Sequence, residues 1–431
     1  MYDAQSRREF LKKVAALGVV YPAVSHLPLM SAATKSPNEK LDIAVVGVAA
    51  RGAANLNGVK DENIVALCDI DQKRLNEAAQ GFPSAALYDD YRRIFDHNLD
   101  AVVCSTPDHM HAFVVTEALK RGLAVYCEKP LTHSISEARK ILKLTAEHNN
   151  ITQMGNQIHS GTNYRRVVEQ IQSGVIGDVR EVQIFLPAVT HFMVGTRVEE
   201  STPPDYISYD LWVGPAPYRP YHESHFHFNW RSWWDFGGGQ LADFWCHYAD
   251  LAYWALDLKY PTRIAAKGEK GHDGDNDVPI HMQVEYDFPA RSEKPPVKLT
   301  WSHGKYIPEG MEVLDKSHGV LFEGDKGRLW ADYGNNQIVL QDGSEAVPVK
   351  PYIADSIGHH AEWLKAIREN GTTGSPFSYG GVLTEGGHLG NLSYRLGKEI
   401  HWDAEAMKAT NAPEADEIIS REYREGWTLD V

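Results

Sequence analysis

From residue 41 onward, short apolar runs alternate with amphipathic stretches of helical period. The apolar runs are typical of buried parallel strands, because they lack the alternation of a half-exposed strand. Ser134 and Glu137 suit a capping box at the start of the last helical stretch. This alternation predicts a doubly wound parallel sheet. The predicted strands are 41–46, 64–68, 101–104, 124–127 and 151–154, and the helical stretches between them include 72–79, 111–121 and 134–148.

After about residue 178 the pattern changes to strands joined by turns. It predicts an α+β second domain with a large, mostly antiparallel sheet and a few helices. The predicted strands are 179–186, 262–268, 280–288, 297–303, 319–323 and 327–332. The segment 187–234 is long, aromatic and rich in proline, so it is either an active-site cover or a subunit contact. The tail 403–427 is charged, with a helical pattern.

Composition narrows the class of protein. Of the 431 residues, 43% are hydrophobic and 23% charged, an ordinary soluble balance. The net charge of −15 argues against a nucleic-acid partner and against stable membrane association. Eleven Trp and twenty Tyr can bind the faces of sugars or fill a large core. The four cysteines form no CxxC pair, which favours buried unpaired thiols over disulfides or a metal site.

The N-terminus has the order of an export signal. The paired Arg7 and Arg8, with Phe10-Leu11-Lys12, precede the apolar stretch 14–29 and the small residues 31–33. We therefore predict a twin-arginine signal peptide over residues 1–33 and a periplasmic mature protein. The alternative is an amphipathic N-terminal helix. The remaining chain is divided into domains at 39–158 and 159–431.

A glycine-rich loop follows the first predicted strand and opens a helix. Gly47-Val48-Ala49-Ala50-Arg51-Gly52 matches the dinucleotide fingerprint GxGxxG, with Ala49 in place of the second glycine. Asp69 ends the second strand, where a carboxylate binds ribose hydroxyls and repels a 2′-phosphate. We predict a Rossmann domain that binds NAD rather than NADP, with Gly47, Ala49, Arg51, Gly52 and Asp69 at the cofactor.

Two further segments end central strands and should face the same ligand. Ser105, Thr106, Pro107 and His111 are expected along the cofactor, although they also suit a turn and a helix cap. Glu128-Lys129-Pro130 follows the next strand, so Lys129 is held on a rigid corner. A fixed cation there can stabilise the alkoxide that forms as hydride leaves a hydroxyl-bearing carbon.

The second domain supplies a candidate base. Asp243 and His247 follow the glycine run 237–239 and lie four residues apart on a predicted helix, 240–256. Histidine can accept a hydroxyl proton near neutral pH, and an aspartate one turn away can orient it or bind a second hydroxyl. The alternative is a surface pair. A metal at His225 and His227 is conceivable, but the HxH pattern alone does not support one, and no metal is predicted.

These motifs together resemble the Gfo/Idh/MocA oxidoreductases, from about residue 41 to the C-terminus. The resemblance rests on the Gly47 loop, Thr106-Pro107-Asp108 with His111, Glu128-Lys129-Pro130 and the Asp243/His247 helix. It looks closest to an exported branch. It implies a catalytic trio of Lys129, Asp243 and His247, with Gln157 near the nicotinamide, and a homo-oligomer.

The chain departs from the family's pattern in places. Ala49 replaces a glycine, Asp108 stands where relatives often have asparagine, and Ile158-His159 replace arginines. The last change concerns substrate contacts, for which we name His159, Tyr164, Trp230 and Trp234.

The expected function is an exported NAD(H)-dependent oxidoreductase of a sugar or glycoside with a tightly bound cofactor. One alternative is an NAD-dependent glycoside hydrolase that works by transient oxidation, elimination, hydration and re-reduction. The other is a non-catalytic sugar-binding protein that retains NAD.

Overall fold

The computed structural model describes residues 39–189, 199–271, 273–274, 276, 278–306 and 316–429. The predicted signal peptide at 1–33 lies outside the described residues, as does part of the aromatic segment, 190–198. No helix among the described residues is long and apolar enough to cross a membrane.

The first sheet is parallel and confirms the doubly wound prediction. Its six strands within the described residues run in the order β3-β2-β1-β4-β5-β6. β1, at the centre, pairs in parallel with both β2 and β4, which puts the topological switch point at its carboxyl end. The short β3 was not predicted, because its three residues are too few to show a pattern. The strands are β1 Asp42–Val46, β2 Asn63–Cys68, β3 Ala86–Tyr88, β4 Ala101–Cys104, β5 Ala124–Glu128 and β6 Thr152–Gly155.

Side-chain caps fix two of the helices on this sheet. Asp71 accepts hydrogen bonds from the backbone N–H groups of Lys73 and Arg74 at the second of them. The predicted capping box is present, since Ser134 accepts from the Glu137 N–H and Glu137 bonds back. The helices are α1 Arg51–Gly58, α2 Gln72–Ala79, α3 Asp108–Lys120 and α4 Ile135–His148.

The second sheet is large and mostly antiparallel, as predicted. Nine strands of the described chain follow the order β13-β12-β11-β7-β10-β9-β8-β14-β15, and only the β7–β10 pair is recorded as parallel among them. The strands are β7 Val179–Leu186, β8 Arg263–Glu269, β9 His281–Phe288, β10 Val297–His303, β11 Gly319–Gly324, β12 Gly327–Ala331, β13 Asn336–Leu340, β14 Ile400–Asp403 and β15 Lys408–Ala409.

Six further helices of the described residues follow β6 along the chain. They are α5 Thr162–Gln172, α6 Tyr209–Val213, α7 Gly239–Leu256, α8 His359–Glu369, α9 Phe377–Leu396 and α10 Asp416–Ile419. The helical pattern of the tail was misleading, since its helical elements are only α10 and a single 3₁₀ turn, and β15 also lies within it. Tail aromatics instead pack on the first sheet's layer, where the Phe113 ring lies 5.0 Å from Tyr423 and 5.5 Å from Trp427.

One face of the first sheet is completed by a helix from far along the chain. Trp363 of α8 is fully buried in the core formed by β1, α1 and their neighbours. Arg368 of the same helix donates to both carboxylate oxygens of Glu62, at 2.6 and 2.7 Å. Residues well beyond the sequence-based boundary at 158 therefore belong to the core of the first sheet.

The aromatic segment docks on the first sheet's edge. Its described part forms its own apolar cluster around Tyr209, Trp212 and Trp230. Its backbone hydrogen-bonds to the loop between β2 and α2. The Gln72 N–H donates to Tyr206 O at 2.9 Å, and the Ser208 N–H donates to Ile70 O at 2.9 Å. Of the two sequence-based alternatives, this position favours an active-site cover.

Buried histidines predict acid lability. Burial lowers the pKa of His109, His303 and His359 to about 3 and that of His111 to about 4. These folded-state pKa values lie below the ordinary 6.5. The free energy of unfolding that these groups contribute is therefore fully present above pH 6.5 and is lost as the pH falls towards the folded-state values. Each buried histidine lowers the free energy of unfolding by about 2 kcal/mol between pH 6.5 and 5. Buried carboxyls with a raised pKa, such as Glu128, partly offset this loss.

We expect the melting temperature to fall by about 10 °C between pH 7.5 and 5, measured by circular dichroism. His303→Gln keeps an acceptor for the Trp301 indole N–H, which lies 2.9 Å from His303 Nδ1, and should show a shallower decline. A melting temperature that is flat over this range would contradict the burial argument.

Candidate active site

A cleft of about 520 Å³ lies at the carboxyl ends of β1, β2, β4 and β5, beneath the aromatic segment. This is the edge at which open α/β sheets bind ligands. Both halves of the chain contribute walls to this cleft, so predicted residues from distant motifs meet there. The predicted site residues that line it are Gly47, Ala49, Arg51, Asp69, Ser105, Thr106, Pro107, His111, Glu128, Lys129, Trp230, Asp243 and His247.

The glycine-rich loop is tightly packed and leaves a helix end open. Gly47 has φ +82°, and a Cβ there would lie 2.6 Å from Ser105 O. A Cβ on Gly52 would lie 2.0 Å from Gly47 O, so Gly52 serves the strand–helix approach and does not line the cleft. No side chain caps α1, whose first N–H groups start at the cleft beside Arg51. Such an end suits a pyrophosphate, and Ala49 leaves room for it.

Asp69 holds the loop from below. Its Oδ2 accepts from the Val48 N–H and its Oδ1 from the Asp71 N–H, both at 3.0 Å. Burial raises the pKa of Asp69 against these bonds. The carboxyl lines the cleft, in the position expected for a ribose partner.

His111 joins the two loops that follow β4 and β5. Its Nδ1 lies 2.8 Å from Pro130 O and its Nε2 2.8 Å from Thr106 O. Ligand atoms of Cys104, His111 and Cys127 lie within 4.8 Å of one another, a spacing that could hold a soft metal. Both ring nitrogens already face carbonyl oxygens, so this buried group acts as a brace between loops. The four cysteines are buried and free.

Glu128 is the hub of a buried network behind the cleft. Its Oε1 accepts from Asn55 Nδ2 at 2.9 Å and from Gln157 Nε2 at 2.6 Å. Asn55 also donates to Ser105 Oγ at 2.9 Å. Gln157 is thereby turned towards Glu128 and Tyr126 rather than into the cleft wall. The network ties α1 to the loops after β4, β5 and β6.

Lys129 and Asp243 meet across the two halves of the chain. Lys129 Nζ donates to Asp243 Oδ1 at 2.5 Å and to Asp243 O at 2.6 Å, and the two side chains are 12% and 17% exposed. Arg231 Nε donates to the same Oδ1 at 3.3 Å, with its guanidinium over the Trp230 ring. Burial would raise the pKa of Asp243, but Lys129 and Arg231 hold it well below its ordinary value.

His247 lies one turn further along α7. Its Nδ1 is buried and has no hydrogen-bond partner among the described residues. Burial and the nearby Lys129 charge lower the pKa of His247 to about 3, against the opposing charge of Asp243. Tyr164 donates to His247 O at 3.0 Å and so fixes the backbone there. The ring is therefore neutral, while Asp243 bonds Lys129 instead of orienting His247.

Comparison with known proteins now fixes the family. Residues 41–156 match the model described as "Oxidoreductase family, NAD-binding Rossmann fold", and residues 160–429 match "Oxidoreductase family, C-terminal alpha/beta domain". The chain belongs to the Gfo/Idh/MocA oxidoreductase family. NAD is its cofactor, in keeping with the open helix end and the Asp69 carboxyl.

Individual relatives are more distant. An inositol 2-dehydrogenase of Rubrobacter xylanophilus is 31% identical over 148 residues, 33% of this chain and 43% of that protein. The match thus spans less than half of that curated relative.

Two solved structures share the fold. The WlbA dehydrogenase of Bordetella pertussis, in complex with NADH and UDP-GlcNAcA, is 16% identical with a TM-score of 0.62, covering 85% of this chain and 99% of that one. The aldose-aldose oxidoreductase of Caulobacter crescentus, complexed with glycerol, is 14% identical with a TM-score of 0.58, covering 84% and 100%.

Three of the four proposed substrate contacts lie elsewhere in this family member. His159 is buried, with Nδ1 2.9 Å from Asp250 and its ring 3.9 Å from Trp254. Tyr164 is fully buried beneath His247, and Trp234 lies against Tyr394. His159 and Tyr164 are therefore core residues, and none of the three lines the cleft. Trp230 alone of the four lines the cleft.

The two histidines considered for a metal face different partners. His225 Nε2 lies 2.9 Å from Tyr209 OH, and the His225 ring stacks on Trp212. His227 Nε2 lies 3.0 Å from Asp71 Oδ2, at the cleft. They therefore do not converge on a common ion position.

Several cleft residues were missed by sequence reasoning. Arg231, Phe228 and His227 come from the aromatic segment, whose character as a possible cover was the available signal. Trp427 of the tail also lines the cleft, and Asn55 of α1 lies behind it in the Glu128 network. No local pattern marks either of these last two, because their role depends on long-range packing.

Asp69 gives a direct test of cofactor preference. We expect Asp69→Ala to weaken NADH binding roughly tenfold to a hundredfold and to narrow the preference for NAD over NADP, because the repelling carboxylate is gone. Calorimetric titration of both nucleotides into refolded, nucleotide-free protein measures this. Asp210→Ala, an exposed aspartate of α6 outside the cleft wall, is the matched control. Unchanged selectivity in Asp69→Ala would contradict the assigned position.

Proposed function

We propose that the protein is an exported NAD(H)-dependent oxidoreductase that interconverts a hydroxyl and a ketone on a sugar or glycoside. The observation that carries the proposal is the meeting of Lys129, Asp243 and His247 at the cofactor edge of the first sheet. A fixed cation and a neutral base on one cleft are what hydride transfer from a secondary alcohol requires.

NAD, when bound, takes up or supplies the hydride. Lys129 is positioned by Asp243 and stabilises the charge that develops on the substrate oxygen. His247, neutral at pH 7, accepts the hydroxyl proton at the cleft wall. Trp230 and the guanidinium of Arg231 offer an aromatic face and donors to a sugar ring.

We further propose that the nucleotide does not exchange between turnovers. The aromatic segment supports this, since it docks on the β2–α2 loop and places His227 and Phe228 in the cleft wall. A retained nucleotide must be reset by a second reactant, for which a keto sugar or aldose is the natural class. The aldose-aldose oxidoreductase of Caulobacter crescentus, as its name states, acts on such a pair.

The test uses purified protein with no added nucleotide and a panel of sugars and glycosides. We expect one stoichiometric burst of NADH absorbance with a keto sugar as product, and continued turnover only when a carbonyl acceptor is added. Lys129→Ala should retain bound NAD yet react at least about a thousandfold more slowly. Lys120→Ala, an exposed lysine on α3, should react like the parent.

The other outcomes identify the rivals. Free sugar released over many turnovers, without net NADH, would show the redox-neutral hydrolase instead. Bound NAD that no sugar reduces would leave a non-catalytic sugar-binding protein. Full activity in Lys129→Ala would remove the lysine from the mechanism.

Export is proposed from the order of residues 1–33 alone. We expect cell fractionation to find the protein in the periplasm, and the double substitution Arg7→Lys, Arg8→Lys to retain it in the cytoplasm. Lys12→Arg, which keeps a charge next to the motif, is the control. Periplasmic recovery of the double variant would contradict twin-arginine transport.

A further inference from the structure

Asp108 is a buried carboxyl in the catalytic cleft that the proposed function does not use. It is the first residue of α3, directly after Pro107, and it lines the cleft while remaining only 6% exposed. No cation of the described residues lies within ion-pair distance of it, in contrast to Asp243. An isolated charge is costly in such a place, so the group favours its neutral form.

The cations around Asp108 are engaged by the other carboxylate. Lys129, from the turn after β5, and Arg231, from the aromatic segment, both hydrogen-bond Asp243 of α7. Three histidines line the same cleft and are neutral. Burial lowers the pKa of His247 on α7 to about 3, and it lowers those of His111 on α3 itself and of His227 in the aromatic segment to about 4. One aspartate is therefore stabilised as an anion and the other is not.

The environments push the two aspartates in opposite directions. Burial raises the pKa of Asp108 to about 8, with help from the Asp243 charge and against Arg231 and Lys129. The pKa of Asp243 is instead held low, although it is also desolvated. When the pKa values of two carboxyls in one site are pushed apart in this way, one can carry a proton while the other stays charged.

His247 alone is a poor acceptor for the substrate proton. A general base works best when its pKa lies near the working pH, and burial has moved His247 far below it. Asp108 lies at the same cleft and is matched to neutral pH. The proton needs a second group. Glu128 of the same cleft already accepts hydrogen bonds from Asn55 and Gln157, whereas among the described residues no cation pairs with Asp108, so Asp108 can take the proton.

We propose that Asp108 is a catalytic acid–base residue that contacts the substrate oxygen and holds its proton between the two half-reactions. The inference rests on the proposed function. In the oxidising direction the O–H proton passes to the Asp108 carboxylate, directly or through His247, as the C–H hydride leaves and the C=O bond forms. In the reducing direction the Asp108 carboxylic acid returns that proton to the carbonyl oxygen as hydride adds to carbon. Proton and hydride are both conserved, and no further reactant is needed.

The experiment compares the holoenzyme with Asp108→Asn, which keeps size and hydrogen bonding but cannot carry the proton. Single-turnover NADH formation with a reactive sugar is recorded from pH 5.5 to about 9.5. We expect the parent's oxidation rate to rise with pH along a limb that Asp108→Asn lacks, and the variant to be slower by about a hundredfold or more. Asp108→Glu should regain part of the rate and the limb, and Asp210→Asn on the surface should match the parent.

A second readout does not depend on turnover. Infrared difference spectra across the same pH range should show a protonated carboxyl band in the parent at pH 7 that fades near pH 8. The band should be absent from Asp108→Asn, with bound NAD retained as evidence of folding.

The outcomes separate this proposal from the function beneath it. If the parent reacts and Asp108→Asn keeps its rate and pH limb, or if no band is lost in the variant, Asp108 is overturned while the oxidoreductase stands. If no sugar reduces the bound NAD of the parent, the proposed function fails and the acid–base role fails with it.

Discussion

The hydrogen-bonded ion pair between Lys129 and Asp243 is the contact on which the site depends. It joins the carboxyl end of the parallel sheet to the helix α7 that precedes most of the antiparallel sheet, so each half of the chain supplies one partner. Because both groups are largely buried, removing either would leave an uncompensated charge in a desolvated cleft. This pair also sets the charges around it. Arg231 hydrogen-bonds the same Asp243 carboxylate, and Asp108 has a raised pKa because Lys129 and Arg231 bond Asp243 instead. The Lys129 charge, together with burial, keeps His247 neutral.

Much of the architecture follows from local pattern. The continuous apolar runs and the Ser134–Glu137 capping box predicted the strands and a helix of the first sheet, because each is a short-range signal. The cleft edge was predictable for the same reason, since Gly47, Asp69, Thr106 and Lys129 each end or follow a strand. The family motifs then brought Asp243 and His247 to the same place, and the structure puts all of them on one cleft.

What escaped prediction depends on distant packing. His159 carries a functional-looking side chain, yet Asp250 and Trp254 claim it in the core. The orientation of Gln157 was set by Glu128, and the hydrogen bonds of Asp243 by Lys129 rather than by its neighbour on the helix. The sequence shows which residues can do chemistry, but competition among buried polar partners decides which of them do.

The burial of Trp363 has a consequence for how the protein is made. The nucleotide-binding sheet lacks one of its covering helices until the ribosome has delivered residues 359–369, so cofactor and core are completed late in synthesis. A fragment ending near residue 158 would present a bare apolar face and would be prone to aggregate. On the proposed export route, translocation would have to wait until nearly the whole polypeptide had emerged. Export of a folded, NAD-containing protein would then depend on residues near the C-terminal end of the chain.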